Sequence, residues 1–146
     1  MKKEIPAQSD SITFPTRVDR LFKTIYTEKP EYWPFGLYRD QFNGIGDQVI
    51  LLQDKDRDIG FIGLQKFRQD KQKNLGNVVS IALLPEYRGK GLSKRMLLEV
   101  LPTILKPDDG NIIWSVNPNN KASIGLANAL AKEKDKIKNQ ICLQYT

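Results

Sequence analysis

The sequence predicts an α+β domain in which helices flank a mixed, mostly antiparallel sheet. Three β-rich runs follow one another between residues 48 and 84 with only short polar turns between them, which is typical of antiparallel pairing. A strand–helix–strand unit then spans residues 77–116, and a crossover of that length makes its two strands parallel. We therefore expect a parallel pair within an otherwise antiparallel sheet. The functional turn is expected at the carboxyl end of the strand that enters the crossover helix.

The N-terminal part of the chain is predicted to be helical. Residues 16–26 carry apolar side chains at the i, i+3, i+4, i+7 spacing of a helix that buries one face. Residues 30–38 are rich in aromatics and contain prolines, so we expect a loop that leads into a short helix. Two interpretations of this aromatic stretch stay open: packing that ties the helices to the sheet, and a wall of a substrate site. The apolar stripe of the predicted helix at 16–26 consists of Val18, Leu21, Phe22, Ile25 and Tyr26.

The remaining elements follow from periodicity and turn residues. An apolar stripe from Leu92 to Leu105 predicts an amphipathic helix, which Pro102 should end or kink. A second amphipathic helix is predicted over residues 120–132, followed by a lysine-rich turn. The predicted strands are 49–52, 59–67, 77–84, 111–116 and 137–145, with polar turns at 54–58 and 69–76.

Composition limits the chemistry. The 146-residue chain carries 23 Lys+Arg against 17 Asp+Glu, a formal net charge of +6, so we expect anionic partners. Zero histidines and one cysteine exclude Ser-His-Asp and Cys-His catalysis, Cys/His zinc sites and an intramolecular disulfide. We expect a single domain over residues 1–146 without a metal. With no secretory leader and no run of about 18 apolar residues, we also expect a cytoplasmic protein without a membrane segment.

The turn before the crossover helix is the candidate binding loop. It reads Pro85-Glu86-Tyr87-Arg88-Gly89-Lys90-Gly91-Leu92-Ser93. Two glycines at a helix N-terminus let a ligand approach the free amides of the first turn, where the helix dipole favours phosphate. Residues 88–95 contain no acid, and this local charge favours a ligand with more than one phosphate. The cations are Arg88, Lys90, Lys94 and Arg95.

Two better-known phosphate motifs do not fit this turn. Lys94 occupies the third glycine position of a dinucleotide fingerprint, and the spacing of a Walker A loop is absent. The competing interpretation is an ordinary glycine turn beside solvated basic side chains.

Two stretches resemble the GCN5-related N-acetyltransferase (GNAT) superfamily. The strand, the Arg-Gly-Lys-Gly turn and the following helix are similar to the family's motif A, Gln/Arg-x-x-Gly-x-Gly/Ala, with Arg88 and Gly91 in place and Ser93 in the last small position. Residues 116–127 are similar to the Asn-x-x-Ala/Ser segment that opens the family's next helix. The predicted order of elements also matches. The resemblance implies the GNAT fold, in which two parallel central strands splay apart.

The resemblance further implies that acetyl-CoA is the co-substrate and lies where these strands separate. The pantetheine amides would pair with the backbone of the first splayed strand, the diphosphate would lie on the loop amides, and Asn120 and Ser123 would contact the pantetheine arm. A helix N-cap is an equal alternative for Asn120. One of Lys90, Lys94, Arg95 and Lys121 would reach the 3′-phosphate. The implied cofactor-binding residues are Ile81, Leu83, Arg88, Gly89, Lys90, Gly91, Leu92, Ser93, Asn120 and Ser123.

The chain departs from the family at positions that carry catalysis. Residues 78–84 contain no carboxylate where many members have a glutamate. Ala127 stands at a position that is often tyrosine, although the ribosomal-protein acetyltransferase branch often has another residue there. We therefore assign no catalytic residue. The candidates for the base are a water held by backbone carbonyls, Glu28, Glu31 and Asp47. Cys142 is expected to be a buried small hydrophobe.

The resemblance implies an N-acetyltransferase that moves acetyl directly from acetyl-CoA to a primary amine of a small molecule or protein. The alternative is a non-catalytic module of the same fold that binds CoA, nucleic acid or protein. A basic nucleic-acid-binding domain of another fold is disfavoured, because no strand face alternates aromatic and basic residues.

The C-terminus has room for one strand after the last helix, where the family usually has two. A strand left at the edge of the sheet exposes unpaired backbone groups. A second copy of the chain is therefore a candidate partner.

Overall fold

A computed structural model of the chain describes residues 2–4, 17, 20–21, 23–25, 48–68 and 74–145. Residues 17, 20, 21 and 23–25 are helical, as the N-terminal stripe predicts, while the aromatic stretch at 30–38 lies outside the described residues. No helix within these ranges is long and apolar enough to cross a membrane. The strands are β1 Lys2–Glu4, β2 Gln48–Asp54, β3 Arg57–Arg68, β4 Asn74–Leu83, β5 Ile112–Val116 and β6 Ile141–Tyr145. The helices are α1 Leu92–Ile104 and α2 Lys121–Ala131, and short 3-10 helices occupy Pro85–Tyr87 and Pro107–Asp109.

The strands form one sheet in chain order, from β1 to β6. Neighbours are antiparallel from β1 to β4, whereas β4–β5 and β5–β6 are parallel. The parallel pairs arise because α1 and α2 each carry the chain back to the end of the sheet at which the preceding strand began. The predicted α+β class, with a mixed and mostly antiparallel sheet, is confirmed. The expectation of a single parallel pair was wrong, because α2 is also a crossover connection and makes β5–β6 a second one.

The two central strands separate soon after they meet. β4 and β5 pair only at Asn77↔Ile112 and Val78↔Ile113, although β4 continues to Leu83 and β5 to Val116. Each strand keeps its other neighbour, since β4 pairs with β3 as far as Leu83 and β5 pairs with β6 as far as Val116. Among the described strands, none pairs with the inner edge of β4 beyond Val78 or of β5 beyond Ile113. The predicted splay is confirmed.

Asn77 holds the closed end of this splay. Its side chain is fully buried, and its Nδ2 donates to the carbonyl of Asp109 at 2.9 Å, with a longer contact of 3.4 Å to the carbonyl of Asn111. Its backbone N–H also donates to the Asn111 carbonyl, and its Oδ1 accepts from Lys66 Nζ at 2.6 Å. One residue of β4 thus binds the segment that leads into β5.

Gly76 lets the two strands come this close. A Cβ at residue 76 would lie 2.9 Å from the side chain of Ile113 and 3.0 Å from the carbonyl oxygen of Asn111. Both distances are tighter than ordinary side-chain contacts, and the positive φ of 152° also disfavours other residues. Glycine is therefore required beside Asn77.

The helices pack one apolar face against the sheet. The buried residues of α1 follow the spacing that predicted the helix. From the N-terminal helical residues, Leu21 and Ile25 are buried in the same core. The buried residues of α1 are Leu92, Met96, Leu97, Val100 and Leu101.

Several predicted boundaries were wrong. β4 begins at Asn74 rather than at residue 77, because the β3–β4 hairpin stays paired through Phe67↔Gly76 and, after a register shift, Arg68↔Asn74. β6 begins at Ile141 rather than at 137. Ile137 lies in a turn, where its N–H donates to the Glu133 carbonyl, and its side chain is buried in the core. Its apolar character therefore reflects burial and not membership of a strand.

Two further features differ from the expectation. α1 continues through Pro102 to Ile104. The proline removes one helical hydrogen bond, and the helical pattern resumes after it, since Leu105 N–H donates to the Leu101 carbonyl at 2.8 Å. β1 was not predicted, since three polar residues carry no alternating pattern and depend on pairing with β2.

An ion pair ties the N-terminal helical residues to the β2–β3 hairpin. Arg17 Nη2 and Nε donate to the two carboxylate oxygens of Asp58 at 2.6 and 2.9 Å, and Gln53 Nε2 adds a third bond at 3.1 Å. The hydrogen bond from Arg17 lowers the pKa of Asp58 despite partial burial of the carboxylate. The charged form of Asp58 therefore stabilises the fold.

Asn77→Ala should lower the free energy of unfolding by about 2 kcal/mol, because it removes a buried amide that binds both the Asp109 carbonyl and Lys66 Nζ. Urea denaturation measures this difference. Asn128→Ala, an exposed position on α2, is the control and should change stability by less than about 0.5 kcal/mol. Equal effects of the two substitutions would contradict the role given to Asn77.

Asp58→Asn should cost about 1 kcal/mol at neutral pH, and the difference from the wild type should shrink in acid. The lowered pKa means that the folded state binds fewer protons than the unfolded state. The contribution is therefore complete above about pH 4 and is lost as the pH falls through the folded pKa. Chemical denaturation at a series of pH values tests this. Asp56→Asn, in the adjacent exposed turn, should leave the pH profile unchanged.

Candidate functional site

A cleft of about 480 Å³ lies where β4 and β5 separate. Its walls come from the free part of β4, the loop that follows it, the first turn of α1, the end of β5 and the start of α2. Ile25 from the N-terminal helical residues completes the lining. The cleft therefore exists because the sheet opens, and its position agrees with the predicted functional turn.

The cleft brings together most of the residues that the sequence indicated. Lys90 is the exception: it is exposed and does not contribute to the lining. Arg95 and Lys121, two of the candidates for a phosphate contact, are also exposed outside the lining. The indicated residues that do line the cleft are Ile81, Leu83, Arg88, Gly89, Gly91, Leu92, Ser93, Asn120 and Ser123.

The loop between β4 and α1 presents its backbone to this cleft. Gly89 and Gly91 have φ of 74° and 73°, a left-handed conformation that costs other residues about 1–2 kcal/mol. Gly91 is the N-cap of α1 and provides no side-chain cap. The N–H groups of the first helical turn consequently have no acceptor within the helix, and the helix dipole adds positive potential there. This geometry suits an anionic group.

Hydrogen bonds at its first residues hold the loop in place. Tyr87 Oη donates to Asp54 Oδ2 at 2.8 Å, which ties the loop to the end of β2 and raises the pKa of Tyr87. Arg88 Nε donates to the carbonyl of Leu83 at 2.9 Å. Arg57 and Glu86 add an exposed ion pair at 2.6 Å. The backbone of the loop is thus fixed by the protein itself.

Part of the positive charge that follows the loop is neutralised by an acidic residue from elsewhere in the chain. Lys94 Nζ lies 3.2 Å from Glu133 Oε1, an ion pair with the segment that follows α2. The sequence showed no acid in residues 88–95, and Glu133 is too far along the chain for any local pattern to link it to Lys94. Lys94 still lines the cleft.

Asn120 and Ser123 order the opposite wall. Asn120 Oδ1 accepts from the N–H of Ser123 at 3.3 Å, so the predicted N-cap of α2 is confirmed. Ser123 Oγ accepts from the indole Nε1 of Trp114 at 2.9 Å. No local pattern in the sequence marks Trp114, because only the register of β5 brings it to the cleft.

The structure also shows the positions at which the sequence lacks the catalytic side chains expected from the resemblance. Ala127 is buried, and the cleft-lining part of β4 carries no carboxylate. Glu28, Glu31 and Asp47, the candidates for a base, lie outside the described residues. Within the described ranges, no group of three or more His, Cys, Asp or Glu side chains is arranged to hold a metal ion. Cys142, expected to be buried, is half-buried on β6.

The sequence matches the profile of the Acetyltransferase (GNAT) family over residues 18–131. No curated protein sequence matches. Among solved structures, a phosphinothricin acetyltransferase from Sinorhizobium meliloti in complex with AcCoA has a TM-score of 0.65 and 20% identity, covering 88% of this chain and 72% of that chain.

Two other solved structures share the fold. A Streptococcus mutans protein has a TM-score of 0.67 and 20% identity, over 89% of this chain and 82% of that chain. A ribosomal-protein-alanine N-acetyltransferase from Brucella melitensis has a TM-score of 0.61 and 15% identity, over 88% and 82%. At these identities the likeness concerns the fold.

Alanine should have opposite effects at two exposed glycines. A Cβ added at Gly91 or Gly125 would meet no non-neighbouring atom of the described residues within 4 Å, so backbone conformation decides the effect. Gly91→Ala forces alanine into a left-handed conformation and should destabilise by about 1 kcal/mol. Gly125→Ala, within α2, should stabilise by about 0.5–1 kcal/mol. Denaturation of both variants tests this, and effects of the same sign would show that the loop backbone differs from that described.

Proposed function

The chain belongs to the Acetyltransferase (GNAT) family, and on that premise we propose that it moves an acetyl group from acetyl-CoA to a primary amine. The acceptor is an amine of a small molecule or a protein, and transfer is direct. The observation that carries the proposal is the cleft at the splay, where free strand backbone and a glycine loop at a helix N-terminus face one space. Each of these features suits a different part of acetyl-CoA.

The free edge of β4 suits the pantetheine arm. Beyond Val78 none of the described strands pairs with β4 on the β5 side, so its backbone groups there can bind the amides of an extended ligand. The Leu83 carbonyl is the exception, because it already accepts from Arg88 Nε. Ile81 and Leu83 supply these groups in our proposal, and both line the cleft. The ligand then lies between the strands like an additional short strand.

The loop suits the diphosphate. The backbone of Arg88, Gly91 and Ser93 surrounds the N-terminus of α1, and the left-handed glycines keep side chains away from it. Lys94 is the basic side chain of α1 that lines the cleft, which makes it the strongest of the four candidates for a phosphate contact. Asn120 and Ser123 lie against the pantetheine arm from the α2 side.

The chemistry requires a neutral amine and a thiolate that leaves. The amine nitrogen forms a bond to the thioester carbonyl carbon, the C–S bond breaks with its electron pair on sulfur, and the surplus proton on nitrogen passes to water. Acetyl-CoA supplies the activated acyl group, while the protein positions it and excludes other geometries. A site without histidine can perform this reaction, because positioning and backbone hydrogen bonds contribute much of the barrier reduction.

One observation favours a second candidate function, a CoA-binding module without catalytic activity. Ala127 is buried where many family members have a tyrosine, and no carboxylate lies on β4 beside the cleft. Such a module would bind acetyl-CoA in the same place and release no thiol. Nucleic acid is not expected as a partner in either case, and a second copy of the chain remains a prediction from the sheet edge at β6.

Calorimetry with acetyl-CoA tests the proposed binding. The wild type should bind in the micromolar range, and Gly91→Glu should weaken binding at least about tenfold, because a carboxylate at the helix N-terminus repels the diphosphate. Gly125→Glu adds the same charge to an exposed position outside the lining and is the matched control. It should change affinity by less than about twofold.

Thiol release with a panel of amines then separates an enzyme from a module. Release that depends on the amine supports the N-acetyltransferase. Binding without release by any amine favours the module, and a wild-type chain that does not bind acetyl-CoA would exclude both functions.

A further inference from the structure

Ser123 and Trp114 form a hydrogen-bonded pair in the wall of the cleft. The indole Nε1 of Trp114 donates to Ser123 Oγ at 2.9 Å, and both residues line the cleft. Trp114 is only 3% exposed, so this hydroxyl satisfies a donor that has little access to water. The bond therefore fixes the position of Ser123 Oγ.

The direction of this bond leaves the serine proton available. A hydroxyl has one donor and two acceptor sites, whereas an indole is a donor only, so Ser123 must accept from Trp114. Ser123 Oγ makes no other hydrogen bond to the described residues. Accepting a hydrogen bond from the indole N–H also polarises the hydroxyl and strengthens it as a donor.

The same hydroxyl is the polar side chain of α2 inside the cleft. The α2 residues in the lining are Ala122, Ser123 and Leu126, and Ser123 alone of these three can donate a hydrogen bond from its side chain. Residues i and i+4 share a helix face, so Ser123 lies one turn before Ala127 on the same stripe. Ala127 is 1% exposed and supplies no donor.

We propose that the Ser123 hydroxyl, held by Trp114, donates a hydrogen bond to the CoA sulfur as the C–S bond breaks. This inference rests on the proposed function, because it names a group within the same cleft. The C–S electron pair goes to sulfur, the hydroxyl keeps its own proton, and the proton from the amine passes to water. Ser123 stabilises the thiolate without protonating it, since an alkoxide is a far stronger base than a thiolate. Trp114 is the positioning residue.

The hydrogen bond has a consequence that needs no acceptor amine. A donor directed at sulfur favours the thiolate, so it lowers the pKa of the thiol in bound CoA. Titration of the CoA complex, followed by the ultraviolet absorbance of the thiolate, measures this pKa. Subtraction of the matching titration with desulfo-CoA removes the contributions of adenine, of the tyrosines and of Cys142.

Substitutions at the pair then test its role. Ser123→Ala should raise the pKa of the bound thiol by about 0.5–1, because it removes one hydrogen bond to a charged group. Ser123→Thr should preserve the wild-type value, and Ser123→Val, with nearly the same shape as threonine, should behave like alanine. Trp114→Phe should raise the pKa by a smaller amount, since the hydroxyl remains but loses its orientation. Ser115→Ala, at another hydroxyl of the cleft lining, is the control and should have no effect.

Affinity and folding are measured for each variant alongside the titration. Calorimetry with CoA and a thermal melt separate a lost hydrogen bond from a distorted cleft. If Ser123→Ala disturbs folding, the comparison of Ser123→Thr with Ser123→Val shows whether the hydroxyl sets the thiol pKa. Equal thiol pKa values in the wild type and in Ser123→Val, with CoA still bound, would overturn this inference and leave the proposed function intact. A wild-type chain that does not bind CoA would overturn both.

Discussion

The short pairing between β4 and β5 is the constraint on which the rest of the structure depends. Two residue pairs join these strands, and buried Asn77 secures that end by binding the carbonyl of Asp109 in the segment that leads into β5. If pairing continued to Leu83, β5 would cover the inner edge of β4 and no cleft would separate them. A buried backbone group without a partner costs about 1–3 kcal/mol, so such an edge persists only where water or a ligand can reach it. The opening of the sheet is thus also the condition for a binding site.

The elements around this opening are held by contacts outside it. Tyr87 binds Asp54 and Arg88 binds the Leu83 carbonyl, so the loop reaches the cleft with its glycine backbone already in position. The Lys94–Glu133 pair is partly exposed, and pairs of this kind contribute about 0–1 kcal/mol. Because this contribution is small, Lys94 can exchange Glu133 for a phosphate group of a ligand at little cost. The loop backbone is therefore in position before a ligand binds, while the charge of Lys94 stays available to a phosphate group.

The wall formed by β5 and α2 differs in character from the loop. It is mainly apolar; Asn120 caps α2, and Ser123 accepts from Trp114 while its own hydroxyl proton stays available to a ligand. With an anion site at one end and an apolar wall at the other, the cleft suits a ligand that is charged at one end only. Acetyl-CoA has this distribution, with phosphates at one end and a thioester at the other. In the proposed reaction, the described part of this cleft contributes position and a few fixed hydrogen-bond donors.

The sequence by itself determined the features that arise from neighbouring residues. The apolar stripe from Leu92 to Leu101 specifies α1, Gly89 and Gly91 specify the left-handed loop, and Asn120 specifies the N-cap of α2, because periodicity, φ preference and capping act within a few residues. The order of elements along the chain and the resemblance to the family also follow from such local patterns, whereas the parallel pairing of β5 with β6 does not. The start of β4, the true extent of β6 and the presence of β1 did not, because strand ends depend on the partner strand.

Only the tertiary structure decided how these pieces meet. It paired Lys94 with Glu133, set the Trp114 indole against Ser123 and placed Asn77 at the closed end of the splay. Each of these contacts joins different elements of the fold, so it depends on the packing of a helix or strand against another element. A sequence pattern records which side chains a segment offers. The distance between two such side chains is set when the sheet forms and the helices bury their apolar faces against it.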